Sequence, residues 1–377
     1  MNPSFKLPVL LSVLLLLLSC KGDITQERVE IAGNEYAKFF EIETNSQGDV
    51  TLIINESWSG EREVTRYRVI KADSNKEYTD ETEVINVPLR KVVCMSTSHI
   101  AYINTLNEER SIAAISGGEY VSDSLISSMV NDGRIADIGF ESSISYERLM
   151  QLKPDIVFTY GISGENNLYI QKIRDLGIKV IALGDYMEEH PLGKLEYLKL
   201  FGELFCKRDY ADSLYRSIRE RYFKVRERVA DIEHRPFILL NAPWKETWYI
   251  PGENNYMSHL IRDAGGDVLL SKRGDSHSYP NSIEEVFANS GRASLWLNPN
   301  FYSSINELGS SNPLFLKMDL LKPGKVFNNT KRNTIRGGSD FWERGVVEPD
   351  IILNDLINII HPERGDRKEL RYYIKLE

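Results

Sequence analysis

Six histidines are the residues of this sequence with the clearest capacity for metal chemistry. A zinc or manganese site needs three or four histidine or carboxylate side chains that converge on one point. The histidines are scattered, and none belongs to an HxH or HExxH pair: His99, His190, His234, His259, His277 and His361. Direct zinc or manganese binding is therefore kept only as a minor alternative.

Nucleophilic catalysis is suggested only by Ser276 and His277, which are adjacent in the chain. Adjacent side chains seldom form a nucleophile–base pair, and the sequence indicates no third partner for them. It also lacks a GxSxG elbow, a P-loop and a GxGxxG turn after a strand. We expect no enzymatic activity and no resident cofactor.

Cys20 lies two residues after an apolar run that extends from Val9 to Leu18. This run is too short to cross a bilayer, which needs about 20 apolar residues. The residues Leu17-Leu18-Ser19-Cys20 resemble a bacterial lipobox, in which the cysteine is acylated. The sequence predicts a signal peptide over 1–19 and a lipid anchor with a spacer over 20–35. The mature chain would be extracytoplasmic, on the periplasmic side of a bacterial membrane or at the cell surface; an ordinary cleaved signal is the alternative.

Composition limits the remaining possibilities. A chain of 377 residues with 42% hydrophobic content can form two ordinary domains. Its formal net charge of −9 argues against a nucleic-acid partner, which would need basic stripes. Cys94 and Cys206 could form one disulfide, but small core residues are the preferred interpretation for both.

The order of apolar patterns predicts an α/β protein of several parts. Period-two alternation over 36–88 indicates a small antiparallel β extension. Short apolar strands separated by helix-length segments then indicate two parallel α/β lobes, over 89–190 and 234–362. Helices fill 191–233 between the lobes, and 363–377 is a tail. The stretch 339–360 is predicted to be one final helix.

The interlobe region contains one long amphipathic pattern. Apolar residues recur there every three or four positions: Ala211, Leu214, Ile218, Tyr222, Val225, Val229 and Ile232. About 24 residues at 1.5 Å each predict a rod of roughly 36 Å. Ligands of open α/β sheets bind beyond the carboxyl ends of the strands, so a cleft between the lobes is the expected site.

Six segments between residues 90 and 362 are similar to the iron-chelate and vitamin B12 binding proteins of bacterial ABC importers. In chain order they read KVVCMSTSHIAYINTLN, SYERLMQLKPDIVFTYG, HPLGKLEYLKLFGELF, TWYIPGENNYMSHLIRDAGGDVLL, SIEEVFANSGRASLWL and GGSDFWERGVVEPDIILNDLINIIHPE. The resemblance implies two Rossmann-like lobes joined by a single long interlobe helix. The resemblance does not cover the β extension over 36–88 and therefore implies no role for it.

The same resemblance implies a monomeric, membrane-tethered receptor without catalysis. Such a receptor captures a small-molecule metal chelate and delivers it to the permease dimer of an ABC importer. An iron chelate, either a ferric siderophore or haem, is the preferred ligand, and a corrinoid is the alternative. A purely structural or signalling lipoprotein on this fold is a further alternative.

Two exposed carboxylates are predicted to dock on the permease. In the resemblance one glutamate per lobe meets an arginine pocket, and the matching positions are Glu147 and Glu284. Carboxylate–guanidinium pairing is directional, so two such contacts could set the orientation of the complex. Glu285 adjoins Glu284, so the register could differ by one residue. The alternative for both is a solvated glutamate near a helix N-terminus.

Ligand contacts are predicted just after the strand ends, where aromatic residues are frequent. Flat rings suit the face of a corrin, a haem or a catechol. The predicted set is Ser98, Gly118, Tyr120, Tyr160, Tyr186, Trp244, Lys245, Asn298, Tyr302 and Arg336. Trp244 is the strongest individual candidate, whereas Trp296 lies inside an apolar strand and is assigned to the core. Arg332 and Arg336 could meet carboxylates of an anionic chelate or could simply be solvated.

Overall fold

The computed structural model describes residues 30–31, 33–55, 64–72, 82–140, 143–161, 166–366 and 368–377. Cys20, the predicted signal peptide and most of the predicted spacer lie outside these ranges. None of the helices within the described ranges has the length and apolar character needed to cross a bilayer.

The N-terminal sheet has five strands in the order β1-β2-β3-β4-β5. Their bounds are β1 Glu30–Ile31, β2 Phe40–Thr44, β3 Val50–Asn55, β4 Val64–Lys71 and β5 Glu83–Val87. Neighbouring strands are antiparallel except for the parallel pair β4–β5. The predicted antiparallel unit is therefore present, and β1 extends it into the segment predicted to be a spacer.

The first lobe is a five-stranded parallel sheet of order β10-β9-β6-β7-β8. Its elements are β6 Val92–Cys94, α1 Thr97–Thr105, β7 Ile112–Ile115, α2 Ser124–Asn131, β8 Ala136–Asp137, α3 Tyr146–Leu152, β9 Ile156–Tyr160, α4 Asn166–Asp175 and β10 Val180–Leu183. The order reverses direction between β6 and β9, as in doubly wound sheets. Cys94 lies in this core as predicted, and burial raises the pKa of its thiol.

Two interlobe helices follow, α5 Pro191–Leu204 and α6 Arg208–Arg226. The apolar stripe of α6 is confirmed, because Ala211, Ile218 and Tyr222 are buried. The helix is shorter than the predicted rod: 19 residues give about 28 Å, and a 3₁₀ turn then covers Glu227–Val229. The core assignment of Cys206 is wrong, because it lies exposed in the turn between the helices with a left-handed φ of 55°.

The second lobe has a five-stranded sheet of order β13-β11-β15-β16-β17 and a separate antiparallel pair, β12 with β14. Its elements are β11 Phe237–Leu240, β12 Thr247–Pro251, α7 Tyr256–Asp263, β13 Asp267–Val268, β14 Ser278–Ser282, α8 Ile283–Asn289, β15 Ala293–Leu297, α9 Ile305–Ser311, β16 Val326–Asn328, α10 Pro349–Ile360 and β17 Ile374–Lys375. Only β17, from the tail, runs antiparallel to its neighbour in this five-stranded sheet.

The last helix is shorter than predicted. Helix α10 begins at Pro349, a favourable first position because proline lacks the N–H that would be unpaired there. The preceding residue, Glu348, is held outside helical geometry at φ −124° and ψ 44°, in keeping with the restriction that proline imposes. Residues 339–348 are therefore a loop with one 3₁₀ turn, Arg344–Val347.

Two buried carboxylates attach the N-terminal sheet to helix α5. Glu196 accepts hydrogen bonds from the backbone N–H groups of residues 35–37 at 2.7–3.0 Å. Glu188, just before the helix, accepts them from residues 38 and 39 at 3.0–3.1 Å. Apolar contact continues this attachment, because the rings of Phe40 and Tyr197 lie 4.6 Å apart. The extension is thus an integral layer of the fold.

We expect Glu196→Gln to lower the free energy of unfolding by roughly 2–4 kcal/mol, because the amide loses both the charge and one acceptor for buried N–H groups. Glu189→Gln is the matched control, since Glu189 pairs at 2.5 Å with a largely exposed Lys38. An exposed pair of this kind contributes at most about 1 kcal/mol. Urea unfolding followed by circular dichroism measures both variants, and equal destabilisation would contradict this assignment.

Candidate functional site

The carboxyl ends of β11, β15 and β16 border a cavity of about 660 Å³ in the second lobe. We call its lining the second-lobe wall. None of its eighteen described residues carries a charge, and six of them are asparagines. Four partly exposed aromatic side chains belong to it, namely Trp244, Tyr249, Phe301 and Trp342. The wall therefore offers apolar ring faces and neutral amides.

Left-handed backbone geometry shapes this wall. Asn241, Lys245, Asn298 and Asn300 have φ values of 64°, 56°, 55° and 52°. Asparagine tolerates this conformation better than most residues other than glycine, which explains its frequency after these strands. The Asn300 side-chain amide donates to the Ala242 carbonyl at 2.9 Å, so the loops after β11 and β15 are tied together.

Trp244 occupies a tight turn between β11 and β12. Its backbone N–H donates to the Thr247 carbonyl at 2.8 Å, and the reciprocal bond measures 3.1 Å. The turn leaves the Trp244 side chain 62% exposed at the cavity. Trp296, in contrast, is fully buried, as predicted for a core residue.

The first-lobe wall is formed by Tyr160, which ends β9, and by residues that follow β7, β8 and β10. Tyr120 and Phe140 pack edge to face with ring centroids 5.6 Å apart. Tyr160 and Tyr186 form a second edge-to-face pair at 6.5 Å. Tyr120, Phe140 and Tyr186 are each more than a third exposed. Both lobes thus present aromatic rings at the carboxyl ends of their strands.

A buried polar cluster supports Tyr186. The neighbouring Asp185 is buried, and its backbone carbonyl accepts a 2.8 Å hydrogen bond from the ammonium of Lys194 in helix α5. His99 Nε2 in α1 lies 3.7 Å from Asp185 Oδ1. Burial alone would raise the pKa of the Asp185 carboxyl, but His99, Lys194 and Ser98 together lower it. The turn Asp185–Met187 is thereby fixed to two helices.

Several predicted ligand residues occupy less open positions. Ser98 and Gly118 are buried, and the Gly118 N–H donates to Asp137 Oδ2 at 2.9 Å. Asn298 is buried at the second-lobe wall, and Tyr302 is half-buried against the core.

The three cationic residues considered as ligand contacts differ in their surroundings: both arginines form ion pairs, and Lys245 forms none with any described residue. Lys245 is exposed in the turn after Trp244. Arg336 forms an ion pair with Glu119 of the first lobe at 3.1 Å. Arg332 pairs with the buried carboxylate of Asp340 in its own lobe.

Four aromatic residues of the two walls are absent from the predicted ligand set: Phe140, Tyr249, Phe301 and Trp342. Phe301 lies between Asn298 and Tyr302, which were both predicted. Tyr249 could have been found from strand alternation, since β12 buries Trp248 and exposes its neighbour. Trp342 was missed because the stretch 339–360 was predicted to be helical, whereas ligand contacts were sought after strand ends. Phe140 follows the two-residue strand β8, which has no recognisable periodicity.

The predicted docking glutamates are both accessible. Glu147 lies in the first turn of α3 and Glu284 in the first turn of α8, and both are exposed. The Glu147 carboxylate accepts a 3.2 Å bond from the Gln151 amide. Each lobe therefore offers one surface carboxylate at the positions indicated by the resemblance.

The histidines were considered for metal binding and, in the case of His277, for catalysis, and they lie in the following environments. Within the described ranges, no group of three or more His, Cys, Asp or Glu side chains is arranged to hold a metal ion. His190 caps helix α5, and burial lowers the pKa of its imidazole to about 3. His277 bonds to Asp275 at 2.9 Å on the exposed surface.

A second cavity, of about 720 Å³, lies between the N-terminal sheet and the turn joining α5 to α6. It is larger than the cavity at the second-lobe wall, but none of its lining residues comes from the parallel strands of the two lobes. Its lining includes charged residues such as Lys71, Glu203 and Arg208, of which the last two are already paired. The rule for open α/β sheets favours the interlobe cleft as the ligand site.

The chain resembles known proteins in sequence and in fold. An uncharacterized lipoprotein of Methanocaldococcus jannaschii is 25% identical over 308 residues, covering 78% of this chain and 71% of that protein. A periplasmic binding protein from Veillonella parvula has a TM-score of 0.60 at 15% identity, covering 83% of this chain and 98% of that one. A periplasmic heme binding protein from Pseudomonas aeruginosa has a TM-score of 0.58 at 14% identity, covering 77% and 98%.

These structural similarities confirm the predicted two-lobed α/β fold. The sequence model of one family, described as periplasmic binding protein, matches residues 92–332, which include most of both lobes and the interlobe helices. The chain therefore belongs to the periplasmic binding protein family.

Proposed function

We propose that this protein captures a planar metal chelate with an uncharged polar edge, a corrinoid, and delivers it to an ABC importer. Family membership supports the receptor role, since proteins of this family bind substrates for ABC transporters and are not enzymes. The absence of charged residues from the second-lobe wall is the observation that favours one class of chelate over the others.

The charge of the wall favours a corrinoid over the iron chelate preferred from the sequence. Haem carries two carboxylates and ferric catecholates are polyanions, so both call for unpaired cations in the site. Arg336 is already paired with Glu119 at the surface, so among the predicted ligand residues, all of which the structure describes, Lys245 is the cation outside an ion pair. A corrinoid edge bears amide groups, which asparagine amides can meet as donors and as acceptors.

The aromatic residues support a flat ligand of either kind. Trp244 and Phe301 are 62% and 84% exposed and line the same cavity, and clustered exposed rings of this kind mark binding surfaces. Ring stacking contributes roughly 0.5–1.5 kcal/mol beyond the area buried. Haem could use the same faces, and the fold shared with a heme binding protein keeps it as the second candidate.

A lipid tether at Cys20 would complete this function. Acylation would hold the receptor near its permease and raise the effective concentration without new contacts. The similar lipoprotein of Methanocaldococcus jannaschii supports an extracytoplasmic location. The receptor would act as a monomer.

Titration of the protein with cyanocobalamin, haemin and a ferric catecholate tests the ligand class. We expect cyanocobalamin to bind tightest and to quench tryptophan fluorescence. Trp244→Ala and Phe301→Ala should each weaken binding about tenfold, which corresponds to about 1.4 kcal/mol of lost contact. Tyr210→Ala is the control, because Tyr210 is 43% exposed beside the second cavity. Tighter binding of haemin or of the catecholate would contradict the corrinoid assignment.

Charge reversal tests delivery separately from capture. The double variant Glu147→Lys, Glu284→Lys should abolish uptake in cells while the affinity for the ligand is unchanged, because both side chains are exposed outside the cleft. Glu220→Lys is the control, being an exposed carboxylate on helix α6, and Glu285→Lys distinguishes the two possible registers on α8. Normal uptake by the double variant would refute the docking role.

A further inference from the structure

Residues 333–343, which we call the bridging segment, connect the two lobes directly, in addition to the interlobe helices. The segment belongs to the second lobe and folds back on itself: the Thr334 N–H donates to the Gly338 carbonyl at 2.8 Å, and Asn333 bridges Ser339. Its base is fixed by buried Phe341, whose ring packs 5.9 Å from those of Tyr372 and Tyr373. The segment is therefore firmly attached to the second lobe.

Glu343 contacts the first lobe directly. Its carboxylate is 1% exposed and accepts two backbone hydrogen bonds of 2.7 Å, from the N–H groups of Ser122 and Asp123. The receiving segment is itself ordered, because the Asp123 carboxylate caps helix α2 by accepting from Leu125 and Ile126. One side chain of the second lobe thus holds two consecutive peptide groups of the first.

Close backbone packing adds a second, independent contact. A Cβ atom added to Gly338 would lie 2.1 Å from the Tyr120 carbonyl oxygen, a distance that real side chains do not adopt. Glycine is required here by the approach of the two lobes. The exposed Arg336–Glu119 pair lies at the outer edge of the same contact and contributes little, as exposed pairs usually do.

The bridging segment also belongs to the ligand site. Asn333, Gly337, Ser339 and Trp342 belong to the second-lobe wall, while Gly338 and Glu343 contact the first lobe. Any change in the contact with residues 120–123 would therefore move one wall of the cleft relative to the other.

We propose that Glu343 and Gly338 are positioning residues that set the distance between the lobes in the unliganded protein. The bridging segment keeps the cleft at a width ready for a flat ligand, so binding requires little rearrangement. Its effect on the ligand rests on the proposed function, whereas its effect on the interlobe distance rests on the fold alone.

Spin-label distances in the unliganded protein test the proposal without any ligand. Labels are placed at Met150→Cys on α3 and Leu316→Cys in the second lobe, both exposed positions. The background carries Cys20→Ser and Cys206→Ser, so that the buried Cys94 is the one native cysteine retained. Double electron–electron resonance then reports the distance between the lobes.

We expect one narrow distance distribution for the background protein, and longer, broader distributions for both Glu343→Gln and Gly338→Ala. The glutamine places an NH₂ group against a backbone N–H, and the alanine collides with the Tyr120 carbonyl. Gly291→Ala is the control, because a Cβ there meets open space, and it should reproduce the background. An unchanged distribution in either folded variant overturns the proposal, and Gly338→Ala decides it if Glu343→Gln fails to fold.

Ligand release provides the second measurement. Dissociation of cyanocobalamin should be about fivefold or more faster from both variants than from Gly291→Ala, in the usual range of conformational coupling. Equal dissociation rates would contradict the positioning role. If the background protein does not bind cyanocobalamin, the corrinoid assignment fails, and the spin-label distances still decide the proposal.

Discussion

Helix α5 is buried along nearly its whole surface, and the arrangement of the other parts depends on this burial. Thirteen of its fourteen residues are buried, so the helix must be enclosed from every side. Lys194 shows how this is done: its ammonium bonds to Asp185 of the first lobe and lies 4.9 Å from the Tyr256 ring centroid of the second. The N-terminal sheet closes the remaining side through Glu188 and Glu196. Separating these parts would expose apolar surface and unpaired charges together.

This enclosure explains why the ligand site can have two unlike walls. The lobes do not need polar contact across the cleft to stay together, because α5 and the bridging segment hold them at its borders. The second-lobe wall is therefore left with neutral amides and exposed rings. The first-lobe wall takes its aromatic residues from turns fixed by buried groups such as Asp185. The ligand site is therefore a solvent-exposed region between closely packed parts of the fold.

The predictions from sequence succeeded where periodicity carries the information. Alternating apolar strands and helix-length segments predicted both parallel sheets. Trp244, chosen because it follows a strand end, is exposed at the cavity, and its ligand contact stays a prediction. Long-range pairing of side chain with backbone leaves no local pattern, so the attachment of the extension through Glu196 and the bridge through Glu343 were not foreseen. The helix predicted over 339–360 was wrong in its first half, since its apolar residues mimic a helical stripe although Pro349 marks the true start. Cys206 was assigned to the core by residue type alone, and its left-handed turn places it at the surface.

A crystal structure of the protein grown with saturating cyanocobalamin would show where the ligand lies. We expect the macrocycle between the two aromatic walls, with Trp244 and Phe301 covered and the Glu343 bonds to residues 122 and 123 intact. Ligand bound in the cavity between the N-terminal sheet and the interlobe helices would contradict this expectation. So would a complex in which the ligand lies in the cleft but leaves both exposed rings in solvent.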